Sequence, residues 1–528
     1  MKRCAPWNGY RGMAHEIEVK LEAPGTAARR LLAAPWFKRL EAAPVKHEHL
    51  VSVYYDTAAA ALRGEGLSLR VRRIGQKRIQ TVKEGPRGVC GPFCEHEWEH
   101  EISGNQPELS GGEETALDQF SRKKLKRELR PVFTTDVMRA AIPVRCDGSE
   151  IEIAIDRGEV SAKGKRTPIS EIELELKQGD PASLVKLSKR IAQATHAGYG
   201  IASKAERGHA LRRGAGPALV SATEIVLDSD MTASDAFTTI ALSCVHHFAG
   251  NRDAVIARMP EGIHQMRVGL RRLRAALSFF KEMLQDAESA GIKRELKWLL
   301  GALGPARDLD VLIDESVVPL QRERAGGNTL DALKVDLKQR RDACIERAKK
   351  AVASDRYRRL VLDTALWATG GAWATSSKPK PAEQRNRNAA DFAATELARR
   401  EHKIEKKLKR LEKLDPRQRH KLRIAAKKLR YADEFFASLY EGGGARRRLK
   451  QHRKALKALQ SSLGKLNDMR AHQAMAGDFL RPRHRARKKP QKAFAFGFIS
   501  GDDHAHSAAL MRAATKAGKH LAGAKPFW

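Results

Sequence analysis

The hydrophobic period of the chain changes near residue 210, and this change constrains the fold more than any other feature. Before it, short segments such as HEIEVKLEA, LSLRVRRI and SEIELELK alternate polar and apolar residues with the period of two that is typical of β-strands. From about residue 230 to 475 the period is 3.6, which predicts long helices rich in Ala, Leu, Arg and Lys. Two architectures of different class therefore share one chain of 528 residues.

Residues 14–210 are predicted to form a mainly antiparallel sheet domain. Several strands follow one another directly and alternate in character, which favours antiparallel pairing over βαβ units. Helical patterns intervene at about 26–40, 114–128 and 181–197. The sequence also predicts a disordered N-terminal extension over residues 1–13 and a linker over 211–229.

The helical region, residues 230–528, contains an internal duplication. HQMRVGLRRLRAALSFF at 264–280 is repeated as HKLRIAAKKLRYADEFF at 420–436, and KRELKWLLGALGPARD is repeated as RKALKALQSSLGKLND. Two four-helix halves related by pseudosymmetry are the simplest architecture for such a repeat. The predicted fold class is therefore α+β, a sheet domain followed by an all-α domain.

The charge balance indicates a polyanionic partner. Lys and Arg outnumber Asp and Glu by 99 to 63, a net charge of +36, and most of the excess follows residue 213. Nucleic acid, an anionic membrane surface and polyphosphate are the partners that such a field attracts. We find no apolar run of about 18 residues, no apolar core of a secretory signal and no disulfide framework, so a cytoplasmic location is expected.

Charged side chains share one face on several predicted strands. In HEIEVK, Glu16, Glu18 and Lys20 point the same way, because side chains two residues apart on a strand lie on one face. The other strands with this pattern contribute Arg70 and Arg72, Glu95, Glu97, Glu99 and Glu101, and Glu171, Glu173 and Glu175. A solvated face is the ordinary interpretation for any one strand, but recurrence favours a barrel with a charged lumen.

Acids and bases on one face suit a metal–polyphosphate substrate. Carboxylate oxygens bind Mg²⁺ or Mn²⁺, and these ions bridge phosphate oxygens. Arginine and lysine neutralise the remaining phosphate charge.

HEIEVK resembles the E-x-E-x-K signature of CYTH domains, the triphosphate tunnel metalloenzymes. GLSLRVRR, TVKEG, EHEWE, RPVFTTDVMR, IAIDRGEV, PISEIELELKQGD and SKAERG are similar to the other blocks of that family, in the same order, over about 14–208. The resemblance implies an eight-stranded antiparallel tunnel that hydrolyses triphosphate with Mg²⁺ or Mn²⁺.

The same resemblance implies roles for individual residues. Glu16 and Glu18 would bind metal together with glutamates of EIELELK, and which two of Glu171, Glu173 and Glu175 are ligands stays open. Glu97 and Glu99 would bind a second metal or orient water. The implied phosphate clamp consists of Lys20, Arg70, Arg72, Lys83, Arg139 and Lys204.

Basic stripes recur in the helical region. One stripe comprises His264, Arg267, Arg271 and Arg274, and its repeat comprises His420, Arg423, Lys427 and Arg430. Each stripe covers an arc of roughly 80° on its helix. A second set in register comprises Lys293, Arg294 and Lys297, repeated as Arg453, Lys454 and Lys457. Repetition at identical offsets favours a binding surface over a merely solvated face.

These helical segments resemble a CHAD domain, over about 230–528. The likeness includes HQMRVGLRRLRAAL, LGPARDLDVL and the terminal KPFW. It implies that the basic surface binds inorganic polyphosphate. His264 and His420 could donate hydrogen bonds to its phosphate oxygens. Asp308 and Asp468 occupy equivalent places, and we interpret them as ion-pair or capping residues that position the arginines.

The sequence therefore favours an inorganic triphosphatase that acts on tripolyphosphate and carries a module for long-chain polyphosphate. One alternative is a nucleotide-directed enzyme of the same family, an adenylate cyclase or a thiamine or nucleoside triphosphatase. Another is a non-catalytic polyphosphate or nucleic-acid binder, associated with polyphosphate granules. The intact E-x-E-x-K argues against a degenerate tunnel, and an aromatic content of 6% argues against single-stranded nucleic acid.

Overall fold

The computed structural model describes residues 17–84, 96–109, 116–120, 122–214, 216–323, 328–440, 442–480 and 507–528. Its contacts divide the chain into two compact units. The first unit comprises residues 1–218 and 358–375, and the second comprises 219–357 and 376–528. The predicted extension over 1–13 lies outside the described residues, as do Glu16 and Glu95.

A ten-stranded antiparallel sheet forms most of the first unit. The strands are β1 (Ile17–Glu22), β2 (Glu41–Ala42), β3 (Lys46–Asp56), β4 (Leu67–Ile74), β5 (Lys77–Glu84), β6 (His96–Glu101), β7 (Arg130–Cys146), β8 (Ser149–Ala162), β9 (Lys165–Gln178) and β10 (Gly198–Tyr199). They pair in the order β10-β1-β9-β8-β7-β3-β4-β5-β6, with β2 beside β7. Eight strands have six residues or more, and β2 and β10 are two-residue additions to the predicted eight.

Alternation along the strands separates an apolar face from a charged face. Val19 and Leu21 of β1 are fully buried, and so are Ile172 and Leu174 of β9. They belong to a core cluster that includes residues of the helices on this face. The helices of the N-terminal part are α1 (Ala27–Ala33), α2 (Ala61–Gly64), α3 (Arg122–Glu128), α4 (Pro181–Thr195) and α5 (Lys204–Arg213). The intervening residues of β1 and β9 are charged and point to the opposite face.

The second unit is helical. Its helices, with α12 reaching into the first unit, are α6 (Ala233–Ala249), α7 (Arg252–Ile256), α8 (Pro260–Phe279), α9 (Ala287–Leu312), α10 (Val318–Glu323), α11 (Asn328–Ala353), α12 (Asp355–Gly370), α13 (Pro379–Asn386), α14 (Ala389–Leu408), α15 (Pro416–Phe435), α16 (Ala445–Leu480) and α17 (507–522). In the part of the chain that the structure describes, no helix is both long and apolar enough to cross a membrane.

The long helices confirm the predicted two four-helix halves. The first half contains α6, α8, α9 and α11, and the second contains α14, α15, α16 and α17. The repeated Phe-Phe pairs at the ends of α8 and α15 meet in the core, where the ring centroids of Phe279 and Phe280 lie 4.9 and 6.0 Å from that of Phe436. The duplicated sequence thus joins the two halves at equivalent positions.

A segment from the middle of the helical sequence belongs to the first unit. Residues 358–375 cluster with the sheet domain, and Leu362 and Leu366 of α12 are buried in the same core as α4. The Arg358 guanidinium donates a hydrogen bond to the carbonyl of Ala197. The hydrophobic core of the first unit therefore includes side chains of α12, which follows the sheet domain by about 150 residues in the sequence.

Candidate functional site

The register between β1 and β9 brings the charged residues of two predicted motifs together. Glu18 lies opposite Glu175, and Lys20 lies opposite Glu173. The Lys20 Nζ is 3.4 Å from the nearer carboxylate oxygen of Glu173. Residues of HEIEVK and EIELELK therefore face each other on one side of the sheet.

Three carboxylates form a compact cluster on this face. One ligand oxygen from each of Asp156, Glu171 and Glu173 lies within 4.8 Å of the others. The side chains of Asp156 and Glu171 are fully buried, and Asp156 of β8 lies directly opposite Glu171 of β9. This carboxylate triad has the hard oxygen donors that Mg²⁺ and Mn²⁺ prefer. The geometry groups Glu171 and Glu173 with Asp156, whereas the Glu175 carboxylate pairs with Lys177.

Four cations surround the carboxylate triad. Lys204 Nζ is 2.8 Å from Asp156 and 2.9 Å from Glu173, and it also contacts Glu171. The Arg139 guanidinium is 2.6 Å from the carboxylate of Asp156 and 2.5 Å from that of Glu173. The Arg207 guanidinium is 3.4 Å from the carboxylate of Glu171, and Lys20 is the fourth cation. Lys204 and Arg207 project from the first turns of α5, whose start is fixed by a capping box of Ser203 and Glu206.

The cations control the ionisation of the carboxylate triad. Burial alone would raise the pKa of Glu173, but Lys204, Lys20 and Arg139 hold that pKa well below its usual range. Burial opposes the charge of Lys204 as well, and the negative charges of Glu173 and Glu171 raise its pKa nevertheless. Glu18 behaves differently, because burial and the nearby charge of Glu173 raise its pKa to about 7.

A second charged group lies on strands β4, β5 and β6. Arg70 Nη2 is 3.2 Å from Glu97 and 3.5 Å from Glu99, and Lys83 Nζ is 2.6 Å from Glu97. Burial would raise the pKa of Glu97, but Lys83 and Arg70 lower it to about 2. Burial and the charge of Arg70 lower the pKa of Arg72 to about 10. Glu97 is therefore held as a carboxylate between the two cations Arg70 and Lys83.

Sequence reasoning missed Asp156 and Arg207. Asp156 stands in IAIDRGEV, and a local signal could have placed it, because the two-residue turn Lys163-Gly164 sets the register of β8 against β9. That register brings Asp156 opposite Glu171. Arg207 follows Lys204 by three residues, the helical spacing that places two side chains on one face.

The two predicted basic stripes of the second unit converge. Lys427 of α15 is half-buried, and burial followed by the charges of Arg271, Arg423, Arg430 and Arg267 lowers its pKa to about 7. Arg267 and Arg271 belong to α8, so cations from both copies of the repeat lie within electrostatic reach of one amine. We call Arg267, Arg271, Arg423, Lys427 and Arg430 the basic cluster.

The other members of the stripes occupy several environments. Arg267 is 8% exposed at its side chain and contacts Asp308 at 3.0 Å, the kind of ion pair predicted for this aspartate. Burial and the charge of Arg307 lower the pKa of His264. His420 hydrogen-bonds to Asn467, and Arg430 pairs with Glu434. For Asp468 the structure describes the backbone only.

The second predicted set of basic residues has different surroundings in the two copies of the repeat. Arg274 lines a cleft of about 410 Å³ together with Leu277, Ser278, Lys281, Lys293, Arg294 and Lys297. In the other copy, Arg453 donates to the backbone carbonyl of Asp433 at 2.8 Å, and Lys454 and Lys457 are exposed. The structure thus brings the first-copy residues together around an open cleft, whereas the second-copy lysines are exposed on α16.

Comparisons with known proteins agree with both sequence resemblances. Residues 14–209 match the model of the CYTH domain, and residues 239–477 match that of the CHAD domain. An inorganic triphosphatase of Haemophilus influenzae is 31% identical over 210 residues, 38% of this chain and 55% of that protein. An uncharacterized protein of Mycobacterium tuberculosis is 33% identical over 151 residues, 27% of this chain and 29% of that protein.

Among solved structures, the crystal structure of the CHAD domain from the plant Ricinus communis is 31% identical in sequence. It matches 58% of this chain and 97% of its own, with a TM-score of 0.49. The chain spans about half, or less, of the length of the curated relatives that it matches.

Proposed function

Because this chain consists mainly of a CYTH domain followed by a CHAD domain, we propose that it is a metal-dependent inorganic triphosphatase that also binds inorganic polyphosphate. The reaction takes place on the charged face of the sheet, and long polyphosphate is held by the helical domain. The similarity of the chain to an inorganic triphosphatase over 210 residues supports the first part of this proposal.

The observation that carries the proposal is the carboxylate triad with its ring of cations. Both carboxylate oxygens of Glu171 are buried, and their ion-pair partners are Lys204 and Arg207, so a metal ion bound here would share these oxygens with the two cations. Together with Asp156 and Glu173, the Glu171 oxygens form a donor set of hard oxygens only, which suits Mg²⁺ or Mn²⁺ better than softer metals. Glu18 of β1 and Glu175 of β9 are further candidate ligands, and Glu16, which lies outside the described residues, is another.

Each group on this face has a proposed role in the reaction. A bound Mg²⁺ or Mn²⁺ would polarise phosphate oxygens and the attacking water. Glu99, which is partly exposed and beside Arg70, would accept a hydrogen bond from that water, and Glu97 would hold Arg70 and Lys83 in place. The clamp residues neutralise the phosphate oxygens and the charge that develops on the leaving group; they are Lys20, Arg70, Arg72, Lys83, Arg139 and Lys204.

The direct test is phosphate release from tripolyphosphate, ATP and long-chain polyphosphate, each with Mg²⁺ and with Mn²⁺. We expect tripolyphosphate to be hydrolysed fastest and excess chelator to abolish the activity. Faster release from ATP would favour the nucleotide-directed alternative, and undiminished activity in chelator would contradict the metal-dependent mechanism.

The basic cluster supports polyphosphate binding by the helical domain. Besides burial, the charges of the four arginines of the cluster lower the pKa of Lys427, so the cluster is under mutual repulsion that an anion would relieve. The cleft beside Arg274 adds Lys293, Arg294 and Lys297 to the basic surface. His264 and His420 lie on the same helices as the cluster and are candidate donors to phosphate oxygens.

This arrangement predicts that polyphosphate binding depends on pH. Lys427 has a pKa of about 7, so it is charged at pH 6 and mostly neutral at pH 8.5. Affinity for long-chain polyphosphate should therefore fall as pH rises through 7, by about tenfold for each unit by which the bound anion raises this pKa. The measurement is a titration of the protein with polyphosphate at pH 6 and pH 8.5 at constant ionic strength.

Two lysine variants separate the protonation of Lys427 from the general electrostatic attraction between the basic surface and polyphosphate. Lys427→Met should remove the pH dependence between 6 and 8.5, whereas Lys406→Met, at an exposed position of α14, should retain it. A wild-type affinity that is the same at both pH values would show that Lys427 does not take up a proton on binding.

A further inference from the structure

A row of buried hydroxyl groups runs beside the charged residues of the sheet. Ser52 and Tyr54 of β3 are 3% and 4% exposed, and they lie directly opposite Arg72 and Arg70 of β4. The ladders put these side chains on the same face as Arg139, because paired residues share a face and so do residues two apart along a strand. No charge or metal-ligand pattern in the sequence singles out these residues.

Ser52 and Tyr54 of β3 each lie opposite an arginine of β4. The Arg72 Nε donates to the Ser52 hydroxyl at 3.4 Å. Burial would raise the pKa of Tyr54, but the nearby charges of Arg70 and Arg72 lower it. The Tyr54 ring is held by a stacked contact with Phe133, with centroids 4.4 Å apart and planes inclined by 21°, and this contact fixes the ring in the strand position opposite Arg70.

Thr81 extends the row across β5. It is fully buried and lies between Arg70 of β4 and Glu99 of β6 in the two ladders. Its hydroxyl donates to Glu99 at 2.7 Å, and the same Glu99 oxygen accepts from Arg70 at 3.5 Å. Ser52 and Thr81 thus each hydrogen-bond to one charged group, and Tyr54 lies opposite a third, along a line that crosses four strands.

Hydroxyls have a property here that carboxylates lack. Arg70 and Arg72 are close enough for Arg70 to lower the pKa of its neighbour, and their long side chains would separate if nothing held them. Glu97 and Glu99 already hold Arg70 and offset part of its charge, and a further carboxylate would cancel the charge that a phosphate needs. A neutral hydroxyl fixes the direction of the guanidinium and leaves its charge available.

We propose that Ser52, Tyr54 and Thr81 are positioning residues that orient Arg72, Arg70 and Glu99 toward the triphosphate substrate. This inference rests on the proposed triphosphatase function. It adds three uncharged residues to the site and assigns each of them to one charged partner.

Tyr54→Phe tests the proposal, because the variant keeps the ring and its stacking on Phe133 and removes only the hydroxyl. We expect kcat/KM for tripolyphosphate with Mg²⁺ to fall by about three- to tenfold, with the melting temperature unchanged. Tyr55→Phe is the matched control, because Tyr55 donates to the Asn105 carbonyl at 2.8 Å, away from the arginines, and its loss should leave kcat/KM unchanged.

A double-mutant cycle distinguishes positioning from general packing. In an Arg70→Lys background, Tyr54→Phe should cause no further loss, because its effect acts through the guanidinium. If Tyr54→Phe lowers the melting temperature, a second cycle can replace the first. It compares Ser52→Ala alone with Ser52→Ala in an Arg72→Lys background, where a smaller side chain is changed. Equal losses with and without the arginine, or wild-type kcat/KM in both hydroxyl variants, would overturn the inference. An inactive wild-type protein would instead overturn the proposed function and the inference with it.

Discussion

Glu173→Gln should lower tripolyphosphate hydrolysis by at least about 100-fold. Glu173 is the carboxylate that Lys20, Arg139 and Lys204 all contact, and it is also a member of the carboxylate triad. The substitution removes one negative charge at nearly constant volume, so both the donor set and the orientation of three cations change. Phosphate release measures the activity, and calorimetric titration with Mn²⁺ alone measures the metal affinity, which we expect to fall as well.

Glu159→Gln is the matched control for this experiment. Glu159 lies on β8, three residues from Asp156, but its partner is Arg166 at 3.0 Å; Arg166 is exposed and Glu159 is half-buried. Its substitution should leave activity and Mn²⁺ affinity unchanged. A Glu173→Gln protein with wild-type activity and wild-type Mn²⁺ affinity would remove the carboxylate triad from the mechanism.

Much of the sheet follows from local sequence. The turn residues Asp147-Gly148 and Lys163-Gly164 all have positive φ, as expected for two-residue hairpin turns. The first turn pairs Cys146 with Ser149 and thereby Arg139 with Asp156, and the second pairs Ala162 with Lys165 and thereby Asp156 with Glu171. Two of the three carboxylates of the triad and one of its cations are therefore aligned by two turn dipeptides and the period of a strand.

Contacts between distant segments could not be derived in the same way. Periodicity gives the face on which Lys204 lies on α5, but not that α5 places it against β8 and β9. The duplication predicts two equivalent stripes, yet the meeting of Lys427 with Arg271 depends on the packing of α8 against α15. The buried hydroxyls were missed because Ser, Thr and Tyr occur on many strand faces without a functional role.

The packing of α12 leads to the second large expected effect. Leu366→Ala in the full chain should destabilise the first unit by about 2–5 kcal/mol, because Leu366 is fully buried in the core that contains Val19, Leu21 and the buried residues of α4. The expected result is faster amide hydrogen exchange in α4 and β1, measured by mass spectrometry on the intact protein.

Leu456→Ala is the matched control, since Leu456 is also fully buried but belongs to α16 of the second unit. That variant should increase exchange around α16 and leave α4 and β1 unchanged. The sequence alone predicts two domains joined by a linker over 211–229, whereas the packing of Leu362 and Leu366 makes part of the helical sequence a component of the sheet unit. If the division at the linker is complete, Leu366→Ala will leave exchange in α4 at its wild-type rate. If α12 is part of the core, the strand that carries Glu18 and Lys20 will lose protection together with α4, because β1 and α4 bury their apolar residues in one cluster.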